Sequence, residues 1–331
     1  MFMNQIPSLR SLKYTKYISC FSGASKCLKD LSELHCCSSI PSEFFCQLSQ
    51  ISCHNLRSLS IDFDCEASNG LKELIHLQNN LKDLNLLALI SNWIGIIPAL
   101  TKHSNTLTKL HLDSNSNEIL PLSFVASLKN LQEIKFSFFI EKNFEDFKKL
   151  QYVNFPKLQI LDFPYNCPKP EYMMNFLEIN GKNLKQLNMG SYVGMGNALN
   201  LSIIKYCPNL KKLSKIFDND ESDALRDIFD GCNNLESIKF WCGKEFLNEA
   251  VVLKTVAKYS PKNFCELKLY NVKLQPEDLE SFLISWKNRP SKKSLNLVII
   301  ERYCDSIDVN EKNMEIIERY KNLGIIKFES R

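Results

Sequence analysis

Apolar residues recur along the chain in a short frame: two are three residues apart, and a third follows two further on. Clear copies are Leu56-Arg-Ser-Leu59-Ser-Ile61, Leu81-Lys-Asp-Leu84-Asn-Leu86, Leu107-Thr-Lys-Leu110-His-Leu112 and Leu235-Glu-Ser-Ile238-Lys-Phe240. Leu131, Leu158, Leu184, Phe264 and Leu323 open further copies. Leu9, Leu28 and Leu210 open looser ones, and a degenerate copy starts at Lys292 around Leu295 and Leu297. The step between copies averages about 26 residues. An asparagine precedes the first anchor in many of them: Asn55, Asn80, Asn130, Asn183, Asn209, Asn234, Asn263 and Asn322.

Side chains alternate along a short strand, so the second and third anchors point inward and the residues between them point out. The first anchor packs at the turn into the strand. Segments of helical spacing lie between strands, as in the runs opening at Glu245 and Pro276; the latter begins with proline and two acids, a good helix start. One strand-plus-helix unit cannot bury its own apolar face, so neighbours must stack. The expectation is α/β: a right-handed leucine-rich-repeat solenoid, a horseshoe with a concave parallel sheet and helices on the convex side. About thirteen units would form one body over residues 1–331.

Composition changes this picture little. Of 331 residues, 44% are hydrophobic and 24% charged, and 41 basic residues against 37 acidic ones give a net charge of +4. That balance points away from nucleic acid or a membrane surface as partner. The basic cluster Lys287, Arg289, Lys292 and Lys293 reads as a solvated loop between helix and strand. The N-terminus has no apolar core of a secretory signal, and the apolar run Leu84 to Leu100 is interrupted by Asn85, Ser91, Asn92 and Pro98. Thirteen cysteines without such a signal read as reduced thiols of a cytoplasmic or nuclear protein.

Candidate chemistry is sparse. Seven cysteines lie between Cys20 and Cys65, with His35 and His54 nearby, but in no zinc-ligand spacing. Burial explains Cys53, Cys207 and Cys232, which share one repeat phase; a metal site near Cys36, Cys37 and His54 is the alternative. The glycine-rich stretch Gly190–Gly196 lacks the lysine of a phosphate loop. The acids from Asp218 to Asp223 do not match a calcium loop, and Ser222 or Asp223 is expected to cap the helix that follows. No catalytic residue, cofactor site or metal site is expected.

Recognition remains. The outward strand positions form three columns. The first includes Lys109, Glu133, Lys212, Ser237 and Glu266; the middle one includes Asn85, His111, Lys135, Asp162, Lys239 and Lys268; the third includes Asp62, Leu87, Asp113, Trp241, Tyr270 and Val298. Mixed charge suits a protein partner. Trp241 and Tyr270 hold the same phase in successive repeats, and parallel strands lie about 4.8 Å apart, so their rings should be neighbours on an exposed surface. With Lys239, Glu266 and Lys268 they have the composition of an interface hot spot, and Lys135, His111 and Asp113 are further candidates on the same face.

The helix-bearing repeat near 26 residues, with Cys53-His-Asn-Leu56, Cys207-Pro-Asn-Leu210 and Cys232-Asn-Asn-Leu235, resembles the cysteine-containing, ribonuclease-inhibitor-like repeats of F-box/leucine-rich-repeat proteins. Its lysine-, asparagine- and phenylalanine-rich style is similar to the fungal sets of that family. The resemblance implies the substrate-recognition part of a Skp-cullin-F-box ubiquitin ligase, which presents a substrate and is not itself an enzyme. The F-box is the departure: no such segment precedes the repeats, which begin at Ile6. The expectation is a fragment or a product lacking its N-terminal part, the alternative a paralogue capped by dimerisation or irregular packing. A Skp-type adaptor is implied only if an F-box lies upstream; otherwise a stand-alone scaffold or inhibitor would use the same face.

Overall fold

The computed structural model describes residues 8–14, 27–50, 54–190, 196–219, 221–242, 246–270, 272–291, 293–300 and 311–330. Two compact units divide the chain, Met1–Phe176 and Leu177–Arg331. The first holds β1 (Ser11–Tyr14), β2 (Glu33–Cys37), β3 (Ser58–Phe63), β4 (Asp83–Ala88), β5 (Lys109–Ser114), β6 (Glu133–Phe138) and β7 (Ile160–Phe163), each parallel to the next. The second holds β8 (Gln186–Met189), β9 (Lys212–Ser214), β10 (Ser237–Trp241), β11 (Glu266–Tyr270), β12 (Leu295–Ile300) and β13 (Ile326–Ser330), again parallel and in chain order.

The periodicity dictates this arrangement. Leu59, Ile61, Leu84, Leu86, Leu110 and Leu112 stack strand upon strand and are no more than 1% exposed. The first anchors Leu56, Leu81, Leu107, Leu131, Leu184, Leu210 and Leu235 are fully buried at the turns. Each such side chain contributes about 1.5–3 kcal/mol by leaving water. The recurrent asparagines have a second use. Asn80 Nδ2 donates to Asn55 Oδ1 at 3.1 Å, Asn130 Nδ2 to the Asn105 carbonyl at 2.6 Å, and Asn234 Nδ2 to the Pro208 carbonyl at 3.1 Å. Each amide reaches back one repeat, so the asparagine satisfies a turn that has no ladder partner of its own.

The helix Pro170–Asn180 runs across the division between the units. Crossovers in the first unit are α-helical at Ser42–Gln50 and Asn69–Leu77, but tighter 3-10 helix forms at Trp93–Ile96, Ser123–Ser127 and Glu141–Lys149. There the covering side chains are aromatic. Phe144 lies 4.9 Å from Phe138, and Phe147 lies 6.1 Å from Phe163, ring centre to ring centre. In the second unit the helices are longer: Gly196–Tyr206, Ser222–Gly231, Glu249–Tyr259, Pro276–Lys287 and Glu311–Asn322. Pro276, Glu277 and Asp278 open theirs as expected.

Four local expectations are corrected. The repeat placed at Leu28 belongs at Leu31: Leu34 pairs with Leu59 and Cys36 with Ile61, because Arg57 N–H bonds the Ser32 carbonyl just as Lys82 N–H bonds that of Arg57. The degenerate repeat is shifted by two residues, Leu297 pairing with Leu267 and Ile299 with Leu269. Val298 therefore pairs with Lys268 in the middle column, is 1% exposed, and cedes its place beside Tyr270 to Ile300. Neither Ser222 nor Asp223 caps its helix; Glu221 occupies that position without a side-chain cap bond. Its carboxylate is drawn instead to Lys215 Nζ at 3.2 Å, Asn200 Nδ2 at 2.7 Å and the Asp218 N–H at 3.0 Å. Arg289, read as solvated, is half-buried: its guanidinium covers the Trp286 ring and donates to the Ser260 and Pro261 carbonyls.

Candidate protein-binding face

In the second unit, β10 presents Ser237, Lys239 and Trp241 outward and β11 presents Glu266, Lys268 and Tyr270, each residue in register with its counterpart. The Trp241 and Tyr270 rings stack with centres 4.7 Å apart and planes 16° from parallel. Lys239 Nζ lies 4.5 Å from the centre of the Trp241 ring and 4.9 Å from that of Tyr270. One ammonium thus serves two aromatic faces, a contact of about 0.5–1 kcal/mol at a half-exposed site. Glu266 accepts from Ser237 Oγ at 2.6 Å, Asn296 Nδ2 at 3.2 Å and Lys268 Nζ at 3.1 Å. Burial alone would raise the Glu266 carboxyl. The donors and the charge of Lys268 outweigh it and hold the carboxyl below its ordinary value. The result is a fixed patch: two stacked rings beside an ionised carboxylate and two ammonium groups.

In the first unit, His111 and Asp113 lie on β5 and Lys135 on β6. His111 Nε2 is 2.8 Å from Ser137 Oγ and 3.8 Å from Asp113 Oδ2, and Lys135 Nζ is 4.0 Å from Asp162 Oδ2. Burial, aided by Lys135, pushes the His111 imidazole down to about 4, so it is neutral at physiological pH. Burial also raises Asp113, with Lys135 opposing. Serine, histidine and aspartate meet here, but hydroxyl and carboxylate both approach the same ring nitrogen. A relay for nucleophilic attack needs them on opposite nitrogens, and Ser137 is buried. The cluster is a polar patch, with Lys109 Nζ 3.5 Å from Glu133 beside it.

The other sequence candidates part company. Cys207 and Cys232 are buried, and desolvation pushes the Cys232 thiol up to about 11. Cys36 points into the core while Cys37 is half-buried, and His54 is engaged with the Ser49 carbonyl at 3.0 Å, so these three do not converge. Cys20, Cys53, Asp220, Lys292 and the glycine-rich residues 191–195 lie outside the described residues.

These repeats are matched among solved structures. The fold is similar to that in the crystal structure of the yeast Rad7 and Elc1 complex, with a TM-score of 0.50 and 13% identity over 85% of this chain and 78% of that one. The fold is a leucine-rich-repeat solenoid. The Drosophila Toll–Spatzle complex also matches, with a TM-score of 0.37 and 16% identity over 84% of this chain and 46% of that one. No family model and no curated protein matches the chain. Among the described residues, no helix is long and apolar enough to cross a membrane.

Sequence reasoning missed Asn296, which completes the Glu266 site. Its signal was weak because Leu295–Ile300 (LNLVII) is apolar at every position but Asn296, so alternation does not fix its frame.

Proposed function

We propose that this chain is a protein-binding leucine-rich-repeat module, with Trp241 and Tyr270 as the centre of its binding face. The stacked pair under Lys239 carries this reading. Its rings are rigid, half-exposed and framed by Glu266 and Lys268, the composition in which interface energy concentrates. That the similar Rad7 was solved as a complex with Elc1 supports a protein partner for such a fold. The finer reading is the recognition arm of a Skp-cullin-F-box ubiquitin ligase. The repeats would hold the substrate, a Skp-type adaptor would engage an F-box upstream of Met1, and no residue of this chain would act as a catalyst.

Immobilised chain, offered an extract of its own cells, tests the face. A partner retained by wild type and by Tyr152→Ala should bind Trp241→Ala at least about 30-fold more weakly, about 2 kcal/mol, with thermal unfolding unchanged. Equal retention by all three removes this face from the function. Adaptor and cullin co-purifying with the full-length product would support the ligase reading; a partner recovered without them leaves a scaffold or inhibitor.

A further inference from the structure

The loops that follow the strands of the first unit carry an apolar rim unrelated to the Trp241 patch. Among its described residues this unit exposes six large apolar side chains, and five lie in or just after three successive loops: Leu89 (41% exposed), Ile90 (82%), Ile94 (64%), Ile119 (55%) and Phe139 (49%). The sixth, Tyr152, stands elsewhere. Scattered exposed leucines need no explanation, but adjacent ones do. The register ties these loops together, since Ala88, Ser114 and Phe138 end neighbouring strands at one level. Phe139 extends the row by stacking on Tyr165 of the next loop at 3.8 Å.

The rim is held in place. The N–H groups of Leu89, Ile90 and Ser91 all converge on the Phe63 carbonyl at 3.0–3.2 Å. Asn143 Nδ2 donates to the Ser116 and Glu118 carbonyls at 3.0 and 2.6 Å, fixing the loop that bears Ile119. Asn166 Nδ2 donates to the Phe139 carbonyl at 2.6 Å. A surface whose apolar side chains are fixed before contact loses little conformational freedom on binding.

Charge selects the occupant. Residues 64–68, 89–92, 115–122 and 139–142 contain Asp64, Glu66, Glu118 and Glu141 against the base Lys142. Lys72, whose stem lies against Gly95, adds a second cation, so acids still outnumber bases four to two. Asp113 pairs with Leu87 near the end of β5, and Lys169 in the following loop faces Glu145 at 4.0 Å. An acidic frame repels anionic lipid and favours an approaching cation.

We propose that this rim docks a segment of a partner protein that combines apolar side chains with flanking lysine or arginine. A random peptide library displayed on phage, selected against the full chain, provides the probe. The selected peptides should carry two or more large apolar residues and net positive charge. The tightest of them, made synthetically, should lose at least tenfold in affinity for Ile90→Asp and for Phe139→Asp, and should weaken for the paired Glu66→Lys, Glu118→Lys variant. Trp241→Ala should bind it as wild type does. All substituted positions on the rim are exposed, and circular dichroism checks their folding. No enrichment, neutral or acidic winners, or affinity indifferent to the rim variants would overturn the proposal. Self-association dispersed by Ile90→Asp would assign the rim to a second copy of the chain, and binding to anionic vesicles lost in that variant would assign it to a membrane; either result overturns it too.

Discussion

The imidazole of His111 is held between Ser137 and Asp113 in the neutral form, and this makes one proton a reporter of the fold. In the unfolded chain a histidine titrates near 6.5; here burial brings it to about 4. Between those values the unfolded state takes up a proton that the folded state refuses. The stability contributed by the neutral ring is therefore complete above about pH 6.5 and is lost as pH falls toward 4. With the ring partly exposed, the loss should be on the order of 1–2 kcal/mol. His111→Gln keeps a polar group toward Ser137 and cannot titrate. Urea unfolding should show the gap between wild type and variant changing by that amount from pH 7 to 4.5; a constant gap would refute the neutral, desolvated imidazole. At this scale the sequence was informative where the frame was sharp. Trp241 and Tyr270 stood out as partners because clean anchors flank both. Asn296 did not, because its strand is apolar on both faces.

At the scale of elements, the helices Ser42–Gln50 and Asn69–Leu77 approach closely where they begin. Gly70 N–H donates to Ser42 Oγ at 2.8 Å, and a Cβ at Gly70 would collide with the Ser42 carbonyl and sit 2.7 Å from that hydroxyl. Gly95, in the next crossover, would place a Cβ no nearer than 3.6 Å to any neighbour. Replacing a helical glycine by alanine ordinarily gains up to about 1 kcal/mol. Gly70→Ala should instead destabilise by about 1–3 kcal/mol through overpacking, while Gly95→Ala should remain within about 0.5 kcal/mol of wild type or exceed it. Similar unfolding midpoints for the two variants would contradict the close approach of Ser42–Gln50 to Asn69–Leu77. Strands were legible wherever anchors keep one phase, as in β3 to β6 and in β10 and β11. The boundary at β2 was missed because Leu28 and Leu31 are both buried, and leucines three apart fit either frame. The 3-10 crossovers were missed because aromatic side chains, not helical spacing, decide their packing.

For the whole molecule, partner class turns on how charge is distributed. Inward positions answer to the core and repeat, whereas outward ones are unconstrained by folding, which is why the partner is less legible than the fold. A net charge of +4 would suit weak polyanion binding if the lysines were free. On the sheet faces they are engaged: Lys109 with Glu133, Lys135 with Asp162, Lys268 with Glu266, and Lys239 over two rings. Lys211 is likewise drawn to Glu236 at 2.8 Å. A phosphate backbone would have to displace these internal partners, and its counterion-release gain would shrink accordingly. Exposed Lys212 bonds through its N–H to the carbonyl of exposed Lys185, and exposed Lys182 lies three residues earlier in the chain, but three phosphate contacts support only a shallow salt dependence. Titrating a labelled random-sequence DNA duplex with the full chain at near-physiological salt should therefore give a Kd weaker than about 100 µM. Micromolar affinity that falls steeply with added salt would overturn the assignment of a protein partner. If that affinity vanished in the triple variant Lys182→Gln, Lys185→Gln, Lys212→Gln, it would place a nucleic-acid site on the turns that lead into β8 and β9.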